Sequence, residues 1–225
     1  PLVGGDYPKM KGDQMLWWIF NDKGNIHGSG GQPLGVEIHA SAYSYTCPQI
    51  TDSLKVLNYT TLYQYEIFNR SPFQINNTYM GYWQDSDLGD FSDDHVGCNP
   101  NGNYVYIYNG DSDDDFYQGG YGVHPPMLST IILKGAFATP NDGIDNNNDG
   151  TVDEIGEKNL MTRFAYFTNG AGFPQSGPFN AVECYNYLNG KWQNGTPFTY
   201  GGTGYGGTTA TPFMFPDFPY NNSGW

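Results

Sequence analysis

The sequence predicts an all-β chain folded as an antiparallel β-sandwich of the jelly-roll or immunoglobulin-like type. The 225 residues include 31 glycines and 15 prolines, and 17% of them are aromatic. Aromatic and β-branched residues favour strands, whereas the chain is poor in the helix formers Ala, Leu and Lys. Turn residues recur between short apolar runs, which is typical of strands joined by loops.

Alternation of apolar and polar residues is clearest in the segment 35–46. One set of alternating positions holds Val36, Ile38, Ala40 and Ala42, and the other holds Glu37, His39, Ser41 and Tyr43. Tyr63, Tyr65 and Ile67 alternate with Gln64 and Glu66 in the same way. This period of two, with one polar face, predicts antiparallel sheets that bury a single side.

Seven segments are predicted to be strands because strand-forming residues lie between turn signals. They are 14–22, 35–46, 60–70, 78–84, 104–109, 129–137 and 160–168. This number of short strands with turns between them indicates a sandwich. One helix is predicted, over 181–188, and it ends at Asn189-Gly190, residues that suit a helix C-cap.

The composition changes near residue 195, and this change sets the predicted domain boundary. We expect a sandwich domain over residues 1–194, with inserted Asp-rich loops at 85–115 and 141–157. Residues 195–225 contain Gly201-Gly-Thr-Gly-Tyr-Gly-Gly207 and then Pro-, Phe- and Asn-rich sequence, with neither a strand nor a helix period. We expect an extended Gly/Pro/aromatic tail that packs on the domain or on a neighbouring molecule.

Acidic residues are concentrated in two stretches of a chain whose formal net charge is −14. Nine of the 23 acidic residues lie between Asp85 and Asp115, six more lie between Asp142 and Glu157, and Lys134 is the only base between the two stretches. Like charge at this density opposes folding unless cations bind. A nucleic-acid partner is disfavoured, because the sequence has no basic patch.

The most informative run has the pattern of a calcium-binding loop. It reads Asn141-Asp-Gly-Ile-Asp-Asn-Asn-Asn-Asp-Gly-Thr-Val-Asp-Glu154. Side chains two residues apart in a tight loop point at a common centre, and glycine allows the chain to reverse behind them. The predicted metal ligands are Asp145, Asn147, Asp149, Thr151 and Asp153.

This run matches the EF-hand loop at positions 1, 3, 5, 6 and 9 but departs from it at the end. Gly156 stands at position 12, and Glu157 follows one residue later. Pro140-Asn141 stands where an entering helix would be, so we expect a free calcium loop and not a helix–loop–helix hand. The alternative interpretation is a solvated Asn/Asp turn.

A second acidic cluster follows the predicted strand 78–84. Its first candidate ligands are Asp85, Asp87, Asp90 and Asp94. Further aspartates follow the predicted strand 104–109, and a hairpin of the two strands would bring both groups to one end of a sheet. We expect at least one Ca²⁺ here, and one to three ions in the whole chain. A pair of solvated acidic loops is the alternative.

The signals for an enzyme are weak, and no catalytic residue is predicted. The four histidines form no His-Glu-x-x-His pattern, and there is no Gly-x-Ser-x-Gly elbow. The dinucleotide pattern Gly202-x-Gly204-x-x-Gly207 is rejected, because no strand precedes it and Pro212 stands where a helix should run. The glutamates Glu37, Glu66 and Glu183 could supply a glycosidase pair, but their spacing does not show that two of them face each other.

Several segments resemble large uncharacterised secreted proteins of Bacteroidota. They are Gly12-Asp-Gln-Met-Leu-Trp-Trp-Ile-Phe-Asn-Asp-Lys-Gly-Asn-Ile-His27, Gly35-Val-Glu-Ile-His39, Ile67-Phe-Asn-Arg-Ser71, Asp85-Ser-Asp-Leu-Gly89, Asp93-Asp-His-Val-Gly-Cys98, Tyr108-Asn-Gly110 and Tyr185-Asn-Tyr-Leu-Asn-Gly190. The resemblance covers most of the chain and implies export by type IX secretion to the cell surface or medium; it does not supply an activity. The 142–154 run is also similar to thrombospondin type 3 and dockerin calcium repeats.

Two functions are consistent with these features. The first is a calcium-stabilised structural or adhesive module, whose partners are further copies of the chain or surface proteins and glycans, as in a filament or surface layer. The second is a carbohydrate-binding module, with Trp17, Trp18, Trp83 and Trp192 as candidates for stacking on sugars, although core packing is the alternative role of each.

The remaining features concern the compartment and the cysteines. The sequence has no apolar run near eighteen residues, so no membrane span is predicted, and we expect a mature or excised segment of a secreted precursor. Cys47, Cys98 and Cys184 permit one internal disulfide at most, and buried thiols are the alternative.

Overall fold

The structure is a computed structural model that describes residues 9–24, 26–48, 51, 55–115 and 119–216. The last part of the predicted tail, residues 217–225, lies outside this description. The chain divides into two compact units, Pro1–Thr78 and Tyr79–Trp225, which are treated separately below. Within the described residues, no helix is long and apolar enough to cross a membrane.

The first unit contains one antiparallel sheet of three strands. They are β1 (Gln14–Asn21), β2 (Val36–Ser44) and β3 (Leu62–Asn69), in the order β1-β2-β3, with a 3₁₀ turn at Val56–Tyr59 between β2 and β3. These strands confirm the predictions for 14–22, 35–46 and 60–70 to within two residues at each end. The local alternation was sufficient here, because each strand pairs with its neighbour in sequence.

The register of this sheet separates two faces of different chemistry. Trp17 pairs with Ser41, which pairs with Gln64, so these three side chains share a polar and aromatic face. The opposite face is apolar except at its ends, where Gln14, Ser44 and Asn69 lie; its apolar and aromatic members are Leu16, Trp18, Phe20, Val36, Ile38, Ala40, Ala42, Tyr63, Tyr65 and Ile67. Ala40 on the central strand is fully buried.

The β1–β2 connection is fixed by the carboxylate of Asp22. This carboxylate accepts hydrogen bonds from the backbone N–H groups of Leu34, Gly35 and Val36, at 3.0 Å for Val36. Burial opposes ionisation here, but the three N–H donors outweigh it and hold the pKa of Asp22 below its usual value.

The second unit contains two small antiparallel sheets. Its strands are β4 (Asp94–Asn99), β5 (Tyr104–Asn109), β6 (Asp113–Asp114), β7 (Gly122–Val123) and β8 (Leu128–Ile131). One sheet has the order β4-β5-β8, and the other pairs β6 with β7. The chain is therefore predominantly β with antiparallel pairing, as predicted, while the arrangement of sheets as a sandwich stays a prediction.

Three of the strand predictions in this unit need correction. Segments 78–84 and 160–168 form no strand, and the segment predicted at 129–137 is extended only to Ile131. In 78–84 the side chains of Tyr82 and Trp83 are exposed, and the period-two pattern carries no information about whether a partner strand exists. In 160–168 only Phe164 pairs, in an isolated bridge with Phe213.

The predicted helix is confirmed as α1 (Ala181–Leu188). At its start, the side chain of Asn180 accepts a hydrogen bond from the N–H of Glu183 at 3.0 Å, and the Glu183 carboxylate accepts from the N–H of Phe179 at 2.7 Å. Both bonds satisfy donors that a helix N-terminus leaves open. At its end, Gly190 takes a left-handed conformation with φ +71° and donates to the carbonyl of Tyr187.

The core of the second unit lies between α1 and the segment that follows it. Its buried members are Tyr187, Trp192, Phe198 and Met214. The indole N–H of Trp192 donates to the carbonyl of Gly204 at 2.7 Å, so the glycine-rich run wraps the edge of this ring. Residues 195–216 of the predicted tail therefore pack on their own domain, one of the two outcomes that the sequence left open.

The cysteines and Trp192 complete the comparison with the sequence. Cys47, Cys98 and Cys184, all in the described part of the chain, form no disulfide with one another. The buried thiol of Cys98 donates to the carbonyl of Met214 at 3.3 Å. Trp192 is 1% exposed, so it packs in the core and cannot stack on a sugar.

Candidate metal centre

The loop of residues 141–157 wraps around the carboxylate of Asp145. Its Oδ1 accepts a hydrogen bond from the N–H of Asp149 at 3.2 Å, and its Oδ2 accepts from the N–H of Gly150 at 2.9 Å. Gly150 and Asn148 take left-handed conformations, with φ +94° and +56°. Glycine and asparagine tolerate this conformation best, which explains the Asn- and Gly-rich sequence of the loop.

The predicted ligands Asn147 and Asp149 continue the same turn. The side-chain oxygen of Asn147 accepts from the N–H of Asp149 at 3.0 Å, and Oδ1 of Asp149 accepts from the N–H of Thr151 at 2.8 Å. The Asn147 amide also donates to Oδ2 of Asp149 at 3.1 Å. The structure therefore brings Asp145, Asn147 and Asp149 together along one turn of the chain.

The two later predicted ligands are placed differently. Thr151 is exposed, and it takes part in the turn through its backbone N–H, which donates to Oδ1 of Asp149. Asp153 directs its carboxylate to the start of the loop, where it accepts from the N–H of Gly143 at 3.2 Å. Asp153 thus closes the loop, and within the described residues its carboxylate bonds to Gly143 and not to the first three ligands.

Two glutamates that were not among the predicted ligands complete this loop. Glu157 is 6% exposed and accepts a hydrogen bond from the N–H of Asn146. Oε1 of Glu154 accepts from the amide of Asn147 at 2.5 Å, while its Oε2 is buried and has no hydrogen-bond partner within the described residues. The signal in the sequence was Glu157 one residue beyond the position of the EF-hand glutamate.

The second acidic region centres on Asp94, the first residue of β4. Its Oδ2 accepts from the N–H of Leu88 at 2.8 Å, whereas its Oδ1 is buried with no hydrogen-bond partner in the part of the chain that is described. Burial, together with the charges of Asp93, Asp114 and Asp87, raises the pKa of Asp94, although the Leu88 bond opposes this. Keeping this carboxylate ionised is therefore costly unless a positive charge lies beside it.

Asp114 lies near Asp94, and the N–H of Asp90 contacts Asp114; both Asp114 and Asp90 are buried. Asp114 is fully buried, and its two oxygens accept from the N–H groups of Asp90 at 2.9 Å and Tyr121 at 2.6 Å. Asp90 is 3% exposed, and the hydroxyl and N–H of Ser92 hold its pKa below the usual value. We call Asp87, Asp90, Asp93, Asp94 and Asp114 the aspartate cluster.

The β4–β5 hairpin is what brings the two acidic stretches of this cluster together. Asp94 pairs with Asn109 across the hairpin, and the N–H of Gly110 donates to the carbonyl of Asp93 at 2.8 Å. The sequence predicted that a hairpin of the strands 78–84 and 104–109 would bring the two acidic stretches together. In the structure β4, and not the segment 78–84, pairs with the strand 104–109. Of the predicted ligands, Asp90 and Asp94 are in the cluster interior, and Asp85 and Asp87 are exposed.

Gly89 offers a test of how tightly this cluster is packed. Gly89 has φ +82°, and a Cβ added to it would lie 2.0 Å from Oδ2 of Asp114. We expect Gly89→Ala to lower the free energy of unfolding by about 2 kcal/mol, through backbone strain and displacement of the buried carboxylate. Chemical denaturation measures this change. Gly119→Ala is the matched control, because Gly119 has φ +95° and an added Cβ would meet no atom of the described residues within 4 Å; an equal effect of both variants would contradict the packing argument.

Two buried carboxylate oxygens without hydrogen-bond partners indicate which kind of ligand the two acidic regions favour. Within the described residues, the only buried side-chain polar atoms without a hydrogen-bond partner are Asp94 Oδ1 and Glu154 Oε2. Both are carboxylate oxygens, and one lies in each acidic region. A buried carboxylate oxygen needs a donor, a proton or a cation, because leaving it bare costs roughly 1–3 kcal/mol or more.

The oxygen atoms of the two acidic regions are of the kind that binds Ca²⁺. Acidic side chains alone, however, do not form a complete site. Among the residues that the structure describes, no three His, Cys, Asp or Glu side chains form a group that could hold a metal. Any bound ion would also need amide and backbone oxygens. Ca²⁺ accepts such a mixed set of about six to eight oxygens, whereas softer metals prefer nitrogen and sulfur.

Comparison of the chain with family models, curated proteins and solved structures finds no match. The function is therefore inferred from the residues of the two acidic regions and of the first sheet.

Proposed function

We propose that the chain is a calcium-stabilised extracellular β-module with a structural or adhesive role. One to three Ca²⁺ ions would be held by the 141–157 loop, through Asp145, Asn147 and Asp149, and by the aspartate cluster, through Asp90 and Asp94. The observation that carries the proposal is the pair of buried, unpartnered carboxylate oxygens on Glu154 and Asp94. A hard cation is the partner that suits such oxygens in a chain of formal charge −14.

The size of the expected effect supports a structural role for the ions. A site whose Kd lies a hundredfold below the ambient calcium concentration adds about 2.7 kcal/mol to folding. A typical domain has a net stability of roughly 5–15 kcal/mol, so two such sites would supply a large share of it. Calcium is then part of the fold, and extracellular fluids are where calcium is abundant enough to saturate weak sites.

The adhesive part of the proposal is supported by the exposed side chains of the first unit. Tyr63, Tyr65 and Ile67 on β3 are each close to half exposed, and Leu16 on β1 is 62% exposed. β1 and β3 are the edges of their sheet, and sheet edges and apolar sheet faces accept further strands or layers.

The compartment and the secretion route belong to the same proposal. The resemblance of segments such as Gly35-Val-Glu-Ile-His39 to secreted proteins of Bacteroidota supports export by type IX secretion. A carbohydrate-binding module is the second candidate function. It is favoured by one observation, the exposed Trp17 among polar side chains, which is developed below.

Size-exclusion chromatography with light scattering tests the structural role. We expect the chain in 2 mM CaCl₂ (about a hundredfold above a Kd of 20 µM) to assemble or to elute as a compact species, and to expand or dissociate in EDTA. Glu154→Gln should reduce the difference between the two conditions, whereas Glu66→Gln, which removes an exposed carboxylate of β3, should not. A monomer that behaves identically with and without calcium would count against the proposal.

A further inference from the structure

The polar and aromatic face of the first sheet contains a groove that the calcium proposal does not use. Its volume is about 450 Å³, and its lining includes Trp17, His39, Ser41, Gln64, Glu66 and Lys11. This volume lies within the range of roughly 300–1,000 Å³ that is typical of small-molecule sites. Most of the lining belongs to three paired strands, and Lys9, Met10 and Lys11, which precede β1, complete it.

An aromatic ring lies open to solvent at one side of this groove. Trp17 is 60% exposed, although it is on a strand with a paired neighbour. Its ring and the ring of His39 meet edge to face, with centroids 6.0 Å apart and an interplanar angle of 79°. Trp17 is thus accessible to a ligand among the described residues, while His39 limits how the indole ring can rotate.

Polar side chains with fixed orientations lie beside the ring. The ammonium of Lys11 donates to the side-chain oxygen of Gln64, and the Gln64 amide donates to Oε1 of Glu66 at 2.8 Å. Nε2 of His39 lies 3.0 Å from Oε1 of Glu37, which also accepts from Arg70 at 2.8 Å. Gln64, Glu66 and His39, which line the groove, each have more than one hydrogen-bonding atom, so they can pair with further donors or acceptors.

This combination is the one that a sugar ring requires. The C–H groups of one pyranose face are weakly positive and pack on the negative face of an indole ring. The hydroxyl groups at the ring edge both donate and accept, so they pair with amides, carboxylates and imidazoles. The lining carries Glu66 together with Lys9 and Lys11, so its charges largely offset one another and a neutral sugar suits the groove.

We propose that this groove on β1, β2 and β3 binds a neutral oligosaccharide, with Trp17 as the stacking platform and Gln64, Glu66 and His39 as the hydroxyl-binding groups. The site does not depend on the calcium role, because it lies in the first unit and both acidic regions lie in the second. Failure of one proposal therefore leaves the other standing.

Isothermal titration calorimetry of the full chain with neutral oligosaccharides tests the site. The probes are cellohexaose, xylohexaose, mannohexaose and maltohexaose, and polygalacturonate is the anionic comparison. We expect measurable binding of at least one neutral probe, and a loss of about tenfold or more in affinity for Trp17→Ala. Tyr59→Ala is the matched control, because Tyr59 is a 90% exposed aromatic residue of the same unit that does not line the groove; the affinity of this variant should be unchanged.

Three outcomes would overturn the proposal. They are the absence of binding to every neutral probe, binding to polygalacturonate alone, and equal affinities of the wild type and Trp17→Ala. If Trp17→Ala does not fold, the affinities of Gln64→Ala and Trp17→Tyr for the neutral probes test the site instead. We expect the first to weaken binding and the second to retain most of it, because Tyr preserves an aromatic face; unchanged binding by Gln64→Ala would also contradict the site.

Discussion

Replacing Asp94 with asparagine is expected to change stability in opposite directions with and without calcium. In calcium the variant loses a ligand, and the free energy of unfolding should fall by about 2.7 kcal/mol if the ion binds a hundredfold below its working concentration. For a unit of this size, that loss lowers the melting temperature by roughly 5–10 °C. In EDTA the variant removes a buried charge near three other aspartates, so its stability should equal or exceed that of the wild type.

The pH dependence follows from the raised pKa of Asp94. In the folded, calcium-free protein Asp94 holds its proton to a higher pH than in the unfolded chain, where the ordinary value is 3.8. The folded state then binds more protons than the unfolded state between those two values, so this group lowers stability as pH rises from 3.8 to the folded pKa. Asp94→Asn should lack this decrease.

Calorimetry of both proteins in calcium and in EDTA measures these effects. Glu66→Gln serves as the control, because it removes an exposed carboxylate from the other unit. Its melting temperature should equal that of the wild type both in calcium and in EDTA. A calcium-independent loss of stability in Asp94→Asn would mean that Asp94 acts only through its bond to Leu88.

Replacing Trp192 with alanine is expected to be the most damaging single change in the second unit. Trp192 is 1% exposed and packs against Tyr187 and Phe198, with ring centroids 6.0 and 5.0 Å away. Loss of a buried tryptophan costs about 3–5 kcal/mol, through lost burial and the cavity that remains. The change also removes the donor to the carbonyl of Gly204.

Thermal unfolding followed by near-ultraviolet circular dichroism measures this loss. The melting temperature of the second unit should fall by roughly 6–20 °C. Trp83→Ala changes the same residue type at an exposed position of the same unit, and we expect less than about 0.5 kcal/mol for it. Similar effects of both variants would contradict the assignment of Trp192 to the core.

The elements that the sequence predicted well are those specified by neighbouring residues. β1, β2 and β3 pair in chain order, so the alternation along β2 carries the information for the whole sheet. The end of the helix was predicted because Asn189-Gly190 suits a C-cap. Both depend on interactions within a few residues or between adjacent strands.

β4 was missed because tertiary packing requires residues that form strands poorly. Its sequence is Asp94-His-Val-Gly-Cys-Asn99, with a glycine in the middle. A Cβ on Gly97 would lie 2.4–2.6 Å from atoms of the Tyr106 ring, so the cross-strand tyrosine occupies the space of the missing side chain. Strand propensity and alternation are both lost where a partner demands glycine.

The sequence predicted that the candidate site is rich in Asp and Asn. It did not predict all of the residues that form the site. The spacing of Asp145, Asn147 and Asp149 predicted a calcium loop; the hydrogen bonds place these residues along one turn of a continuous segment, and calcium binding there stays a prediction. The burial of Asp114 and the orphaned oxygen of Glu154 depend on which strands pair and which loops fold over them. Such facts appear only when distant segments meet.

Equilibrium dialysis against ⁴⁵Ca²⁺ is the most direct test of calcium's role in this protein. The chain is stripped with EDTA, dialysed into buffer with 0.15 M salt, and compared with the double variant Asp94→Asn/Glu154→Gln. One to three ions per wild-type chain are expected, with fewer on the double variant. A wild-type chain that binds no calcium at millimolar concentration, and melts at the same temperature in calcium and in EDTA, would contradict the calcium-stabilised module.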